Sequence, residues 1–193
     1  MTRKITTEGI VLGKRGLGEA TTLVQLHTRE LGLIYASAKS ARREQSKLRY
    51  GLEPFTCGRF SLVAGRHEWK VAGVDAISYP LMSASLSARI VAGRVCRLLV
   101  RLIQGEEVSQ QLYEHVSHGF ALLSSVSDSQ GCESIECVLV LRILFSLGYL
   151  PKTAELAPFI ADEDLSLELA ARAAQRRSTL IRAINDSLSV SGL

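Results

Sequence analysis

Long apolar runs are missing from this sequence. Its richest apolar stretches, such as Val138–Leu141 and Leu98–Val100, fall far short of the roughly 18 residues that cross a bilayer, so neither a membrane span nor a membrane partner is expected. The N-terminus, Met-Thr-Arg-Lys-Ile-Thr-Thr-Glu-Gly, also lacks the roughly 7–15-residue apolar core of a secretory signal, and cytoplasmic residence is the expectation. Cysteine is sparse. Cys57, Cys96, Cys132 and Cys137 show no paired spacing, and a tetrahedral zinc site would lack ligands, so they read as small buried thiols and no metal or cofactor is expected. The histidines His27, His67, His115 and His118 form no nucleophile–base or metal-binding pattern and read as surface residues. Gly13-x-x-Gly16-x-Gly18 lacks the spacing and the Lys-Ser/Thr ending of a phosphate-binding loop. Glu106-Glu107 and Asp162-Glu163-Asp164 suit helix N-termini, where carboxylates oppose the positive end of the dipole. With no acid, base, nucleophile or metal set to assemble, a catalyst is not expected.

What is present is an uneven distribution of charge and of hydrophobic period. Residues 1–79 carry 13 Lys/Arg against 7 Asp/Glu, and residues 80–193 carry 10 against 12. The basic excess therefore belongs to the first part. There the apolar residues alternate with period two, as in half-buried strands; after Tyr79-Pro80 they repeat with the period of helices. The expected class is α+β: residues 1–79 as a five-stranded barrel and residues 80–193 as a helical bundle that docks partners.

Five strands are expected, at about Glu8–Arg15, Thr21–Thr28, Leu33–Ala38, Phe55–Val63 and Glu68–Ile77. Gly16-Leu17-Gly18, Arg29-Glu30-Leu31-Gly32 and Ala64-Gly65-Arg66-His67 supply turns between them. Lys39 to Glu53, charged and poor in apolar residues, reads as one long loop. Five short strands with one long connection fit a closed barrel of the OB type. Phe55 and Phe60 have opposite parity in the fourth strand, so only one can face inward unless a bulge intervenes.

In the second part, Ser83 or Ser85 caps a helix reaching about Gln104, with Leu86, Ile90, Leu98, Leu99 and Leu102 as its apolar face. A helix from about Ser109 carries Leu112, Val116, Phe120 and Leu123 at helical spacing. A third, about Glu133–Leu147, is apolar almost all round, as a central helix of a bundle would be, and ends at Gly148. A last helical region spans about Leu165–Leu188.

The richest chemistry is the run Lys39, Arg42, Arg43, Lys47 and Arg49, opposed only by Glu44. Guanidinium forks on a barrel loop suit phosphates, and each phosphate neutralised releases condensed counterion. Tyr35, Tyr50, Phe55, Phe60 and Trp69 supply aromatic rings to this part; flat faces of that kind stack unpaired bases, and Trp69 beside Arg66 and Lys70 joins the candidate nucleic-acid contacts. Arg89, Arg97 and Arg101, with Arg94, stud the first helix, and Arg172, Arg176, Arg177 and Arg182 the last region. These are candidates for a second DNA strand or an acidic peptide.

The order of residues also carries a resemblance. Glu8-Gly-Ile-Val-Leu, Gly18-Glu19-Ala-Thr-Thr-Leu-Val, Thr28-Arg29-Glu30-x-Gly32, Ala38-Lys39-x-Ala41-Arg42-Arg43, Ser46-Lys47-Leu48-Arg49 and Leu52-x-Pro54-Phe55 resemble the RecO family of bacterial recombination mediators, more weakly continued by Leu139-x-Leu141-Arg142-x-Leu144-x-x-Leu147-Gly148-Tyr149-Leu150-Pro151. The resemblance implies an N-terminal OB fold and a C-terminal helical domain. It implies binding of single- and double-stranded DNA, annealing of complementary strands, and help in loading RecA recombinase onto strands coated by single-strand-binding protein. Implied partners are RecR, in many bacteria RecF, and the acidic tail of the single-strand-binding protein; association with the nucleoid during repair would follow. Lys39, Arg42, Arg43, Lys47 and Arg49 are the DNA contacts that it implies. The four-cysteine zinc module of many members has no counterpart after Cys137. The competing reading, from the residues alone, is a protein-interaction adaptor whose barrel binds protein and whose basic loop is merely solvated.

Overall fold

A computed structural model describes residues 3–41, 46, 48–66, 68–103, 108–161 and 165–190. The chain divides into two compact units, Met1–Pro80 with Cys96–Tyr113, and Leu81–Val95 with Glu114–Leu193. The first unit holds strands β1 (Lys4–Leu17), β2 (Thr21–Thr28), β3 (Gly32–Ala38), β4 (Cys57–Ala64) and β5 (Trp69–Ser78), with a short helix α1 (Leu48–Gly51) between β3 and β4. The strands close in the order β1-β2-β3-β5-β4, an OB-type barrel. All pairs are antiparallel except β3 with β5, which run parallel through Ala36 opposite Trp69 and Ser37 opposite Lys70.

Closure rests on the length of β1. Its first half pairs with β4 and its second with β2, the two ladders overlapping at Gly9 and Ile10. Alternate residues then fill the interior: Val11, Val24, Leu26, Ile34, Ala36, Ala38, Phe60, Leu62 and Val71, with Trp69 and Val74 packed against them. At the 25 cal/mol per Å² scale, each large side chain removed from water in this way contributes about 1.5–3 kcal/mol. Phe60 has no exposed surface, whereas Phe55 stands outside β4, at a φ of 69°. Phe60 thus takes the inward place.

Several bounds differ from expectation for local reasons. β1 continues through Leu17, and the turn falls on Gly18, whose φ of 72° favours glycine. The stretch 39–53 is not simply a loop. Ser46 caps α1 through the Leu48 amide, and Ala41 and Leu52 are buried in the barrel core with Leu48 beside them.

The remaining helices are α2 (Leu86–Leu102), α3 (Gln110–Ser124), α4 (Ser129–Ser146), α5 (Ala157–Ile160), α6 (Leu167–Gln175) and α7 (Arg177–Val190). Ser85 and Ser109 accept the Ala88 and Leu112 amides and so cap α2 and α3. Leu112, Val116, Phe120 and Leu123 are buried as their spacing predicts. On α2 the expected face holds in its second half, where Leu99 and Leu102 are buried and Leu98 partly so, but in the first half Leu86 and Ile90 are exposed and Ala88, Val91, Ala92 and Val95 are buried instead. α4 begins earlier than expected because Asp128 accepts the Gly131 amide. It is buried nearly all round and packs against α5, α6 and α7. Arg142 lies inside it at 2% exposure, its Nε donating to the Phe159 carbonyl at 3.0 Å and so tying α5 to α4. The last helical region is two helices, broken at Arg176 and started by a Ser166 cap.

The histidines correct the expectation of surface residues. His27 and His115 are buried and His118 is exposed, while His67 lies outside the described residues. His27 sits in β2 with its ring 5.8 Å from that of Tyr113, in the same unit, and neither of its nitrogens has a hydrogen-bond partner among the described residues. Burial lowers its pKa from 6.5 to about 4. The unfolded chain therefore takes up a proton below pH 6.5 that the folded chain refuses until about pH 4, so stability is full above that window and falls through it. The expected loss across the window is about 3 kcal/mol. Urea unfolding followed by Trp69, the single tryptophan, should show it, and His27→Leu should flatten that part of the pH profile.

Candidate nucleic-acid interface

The outer face of β1, β2 and β3 is organised in rows set by the ladder registers. One row is Ile10 opposite His27 opposite Leu33. Its residues point away from the barrel core and yet are buried, with Tyr113 against His27. Between Val11 and Gly13 the β1–β2 pairing slips by one residue at Leu12. Beyond the slip, Gly13 stands opposite Gln25 opposite Tyr35, and Arg15 opposite Leu23 opposite Ser37 opposite Lys70. In these two rows Arg15, Tyr35 and Lys70 are exposed, Gly13, Leu23 and Gln25 partly so, and Ser37 is buried. Lys14, Arg15, Leu23, Gln25 and Tyr35 line a groove of about 340 Å³.

A second groove, of about 230 Å³, is lined by Lys14, Thr22, Ala41, Arg49, Leu52 and Glu53. It lies between the β1–β2 turn side of the barrel and α1, and Lys14 belongs to both grooves. Lys14 also pairs with Glu53 at 2.7 Å. α1 is seated on β5: a Cβ on Gly51 would come within 3.0 Å of Ile77 Cδ1 and 3.1 Å of Val74.

Charge is segregated on the barrel. Glu8 with Arg29 at 2.9 Å and Arg59 with Asp75 at 2.8 Å neutralise the side formed by the first half of β1 and by β4 and β5. Arg15 and Arg49, which line the grooves, and Lys39, Arg66 and Lys70, elsewhere on the barrel, have no ion-pair partner among the described residues. All five are exposed. The Arg49 guanidinium stands 6.0 Å from the Tyr50 ring centroid, and Tyr50 is itself exposed. Such a cation-rimmed groove suits a polyanion.

The residues expected from sequence divide accordingly. Lys39, Arg49, Arg66 and Lys70 surround the grooves or the neighbouring β4–β5 connection; Arg42, Arg43 and Lys47 lie outside the described residues. Trp69 packs half-buried against the barrel core, at the parity of Val71 and opposite to that of Lys70. Arg15, Gln25, Tyr35 and Lys14 are additional groove residues. Period-two parity along β2 and β3 was a usable signal for Gln25 and Tyr35, but the slip at Leu12 hides the side that Arg15 faces. In the helices, Arg89, Arg97, Arg101, Arg172, Arg176 and Arg182 are exposed. Arg94 is held by both Glu136 oxygens, and Arg177 by Glu133.

Thiol chemistry is quenched by burial, which raises Cys57 and Cys137 to about 11 and Cys96 to about 12. Among the described residues no three His, Cys, Asp or Glu side chains gather as a metal would need, and no helix there is long and apolar enough to cross a membrane.

The model of the family described as "Recombination protein O N terminal" matches residues 1–79. The chain is 30% identical to DNA repair protein RecO of Heliobacterium modesticaldum over 146 residues, 75% of this chain and 52% of that protein. It is 29% identical to that of Dehalococcoides mccartyi over 152 residues, 78% and 59% of the two chains. A shorter stretch of 67 residues is 42% identical to RecO of Alkaliphilus metalliredigens, 35% and 27%. Residues 1–79 belong to the RecO N-terminal family. The chain spans about half the length of the curated RecO proteins it matches. The matched segment takes in all five strands and α1, so both grooves lie within the RecO N-terminal region.

Because α1 forms one wall of the second groove, its seat is testable. Gly51→Val places two methyl groups where even one Cβ is tight, and overpacking of this kind costs about 1–3 kcal/mol. Thermal melts read by Trp69 should show a lowered Tm, whereas Gly73→Ala, where an added Cβ meets nothing closer than 3.9 Å, should lower it less.

Proposed function

We propose that this chain is a non-catalytic DNA-binding protein of recombinational repair. It binds single- and double-stranded DNA through the barrel, anneals complementary strands, and helps load RecA recombinase onto DNA coated by single-strand-binding protein. The observation that carries this reading is the pair of grooves lined by Lys14, Arg15 and Arg49, within the segment matched to the RecO N-terminal region. Phosphates pair with cations in a sequence-independent way, and a mediator that handles any damaged sequence needs no more than that. The names of the relatives, DNA repair proteins, point the same way.

The proposed phosphate contacts are Lys39, Arg42, Arg43, Lys47, Arg49, Arg66 and Lys70, with Trp69 as an aromatic neighbour. Arg89, Arg97, Arg101, Arg172 and Arg176 are proposed to dock partners, among them the acidic tail of the single-strand-binding protein, RecR and RecF.

Replacing Arg42, Arg43, Lys47 and Arg49 together by Ala should reduce the salt slope of DNA binding by about one unit for each phosphate that is no longer neutralised, with slower annealing. Titrations of labelled oligonucleotide at several salt concentrations measure it. An unchanged slope with unimpaired annealing sinks the assignment of this run; no binding by the unaltered chain, at micromolar protein and low salt, favours the adaptor instead.

A further inference from the structure

We propose that Glu53 is a built-in competitor for phosphate at Lys14: it occupies the ammonium while no strand is bound and takes it back when a strand leaves, so that binding is weakened and kept reversible. The inference rests on the DNA-binding reading above and names a residue that limits that binding.

Glu53 is the one carboxylate among the described residues that line the two grooves. The cations there are Lys14, Arg15 and Arg49, and of these Lys14 alone is in an ion pair among the described residues, its Nζ 2.7 Å from Glu53 Oε1. Lys14 also lines both grooves, so the carboxylate is placed on the cation common to the two. Other barrel carboxylates are set against other partners, Glu8 on Arg29 and Asp75 on Arg59, and neither lines a groove.

The contact is not a chance meeting of two flexible side chains. The Phe55 N–H donates to the Val11 carbonyl at 2.8 Å and the Val11 N–H to the Thr56 carbonyl at 2.9 Å, which fastens the end of the α1 connection to β1 three residues before Lys14. The Thr56 N–H closes the turn on the Glu53 carbonyl at 3.1 Å. Within it Phe55 has a φ of 69°, a conformation that a bulky residue adopts only where its surroundings impose it. On the other side of Glu53, Leu52 is 1% exposed in the barrel core. Glu53 is therefore held from both sides, by a core anchor and a strand anchor, and its side chain reaches Lys14 from a set position.

An ammonium that faces a carboxylate is not free to neutralise a phosphate. The two side chains are 33% and 46% exposed, so the pair is weak enough to be exchanged. The exchange leaves a bare carboxylate, which draws a cation from solution. Each phosphate neutralised releases condensed counterion; at Lys14 that release is offset by the cation that Glu53 takes up. Affinity and salt dependence are both lower than the number of groove cations alone would give. A protein that anneals strands has to let go of the duplex it makes, and a competitor fixed in the groove returns the ammonium to its resting partner at each departure.

The test measures binding of labelled oligo-dT by anisotropy over a series of salt concentrations, for the unaltered chain, Glu53→Gln, Lys14→Met and the double variant, with Tm and Trp69 emission as controls for folding. Glu53→Gln keeps the shape and removes the charge. At low salt it should bind about two- to fivefold more tightly, the range set by a partly exposed ion pair, with a salt slope steeper by up to about one unit. Lys14→Met should bind more weakly, and on that background Glu53→Gln should add little, because the cation it competes for is gone. No gain from Glu53→Gln, or the same gain with and without Lys14, overturns the competitor role; the second result makes Glu53 one negative charge in the general field. Immobilised heparin, a polyanion without bases, carries the same comparison: Glu53→Gln should elute at higher salt than the unaltered chain, and Lys14→Met should elute together with the double variant. If the unaltered chain binds no oligo-dT, the DNA-binding reading falls, and the heparin comparison still decides the role of Glu53.

Discussion

β1 pairs with β4 through its first half and with β2 through its second, and within the second ladder the register slips by one residue at Leu12. Side chains alternate along a strand, so a one-residue slip exchanges the two faces for everything beyond it. Without it, Lys14 would face outward with Leu23 and Arg15 would share the parity of Val24, a core residue. With it, Arg15 joins the open row and Lys14 turns to the end of the barrel, where Glu53 and Leu52 of the α1 connection meet it. The two grooves follow from that single irregularity, as does the buried run Ile10-Val11-Leu12.

The same outer face is treated in two ways along its length. Around His27 it is covered, with Tyr113 against the imidazole in the same compact unit. Covering that row removes Ile10 and Leu33 from water but also desolvates an imidazole, which then stays neutral across the physiological range. Two residues further along, the face carries Gln25 and Tyr35 and stays open. Apolar residues in one row and a polar amide with a ring in the next therefore separate a packed surface from an open groove within one sheet.

Much of this was legible in sequence, and the exceptions have physical causes. β2 matches its expected span, and the other strands lie within a few residues of theirs except at the start of β1, because alternation and turn glycines are local signals. The slip at Leu12 was invisible because three consecutive apolar residues look alike whether a strand is bulged or covered on both sides. α1 was hidden by charge: Leu48 and Leu52 at i, i+4 behind Ser46 were a helical signal, outweighed by the cations among them. On α2 two apolar stripes compete, and the one with the larger residues, Leu86 and Ile90, is the one left outside. The burial of His27 depends on Tyr113, far along the chain, and no local pattern reports a contact of that kind.

Charge and shape divide the work at the grooves. The free cations draw any polyanion, and their contribution fades as salt screens it. Lys14 differs from them because Glu53 already holds its ammonium at 2.7 Å. Both partners are partly exposed, and a pair of this kind is worth at most about 1 kcal/mol, so the ammonium exchanges its partner at small cost.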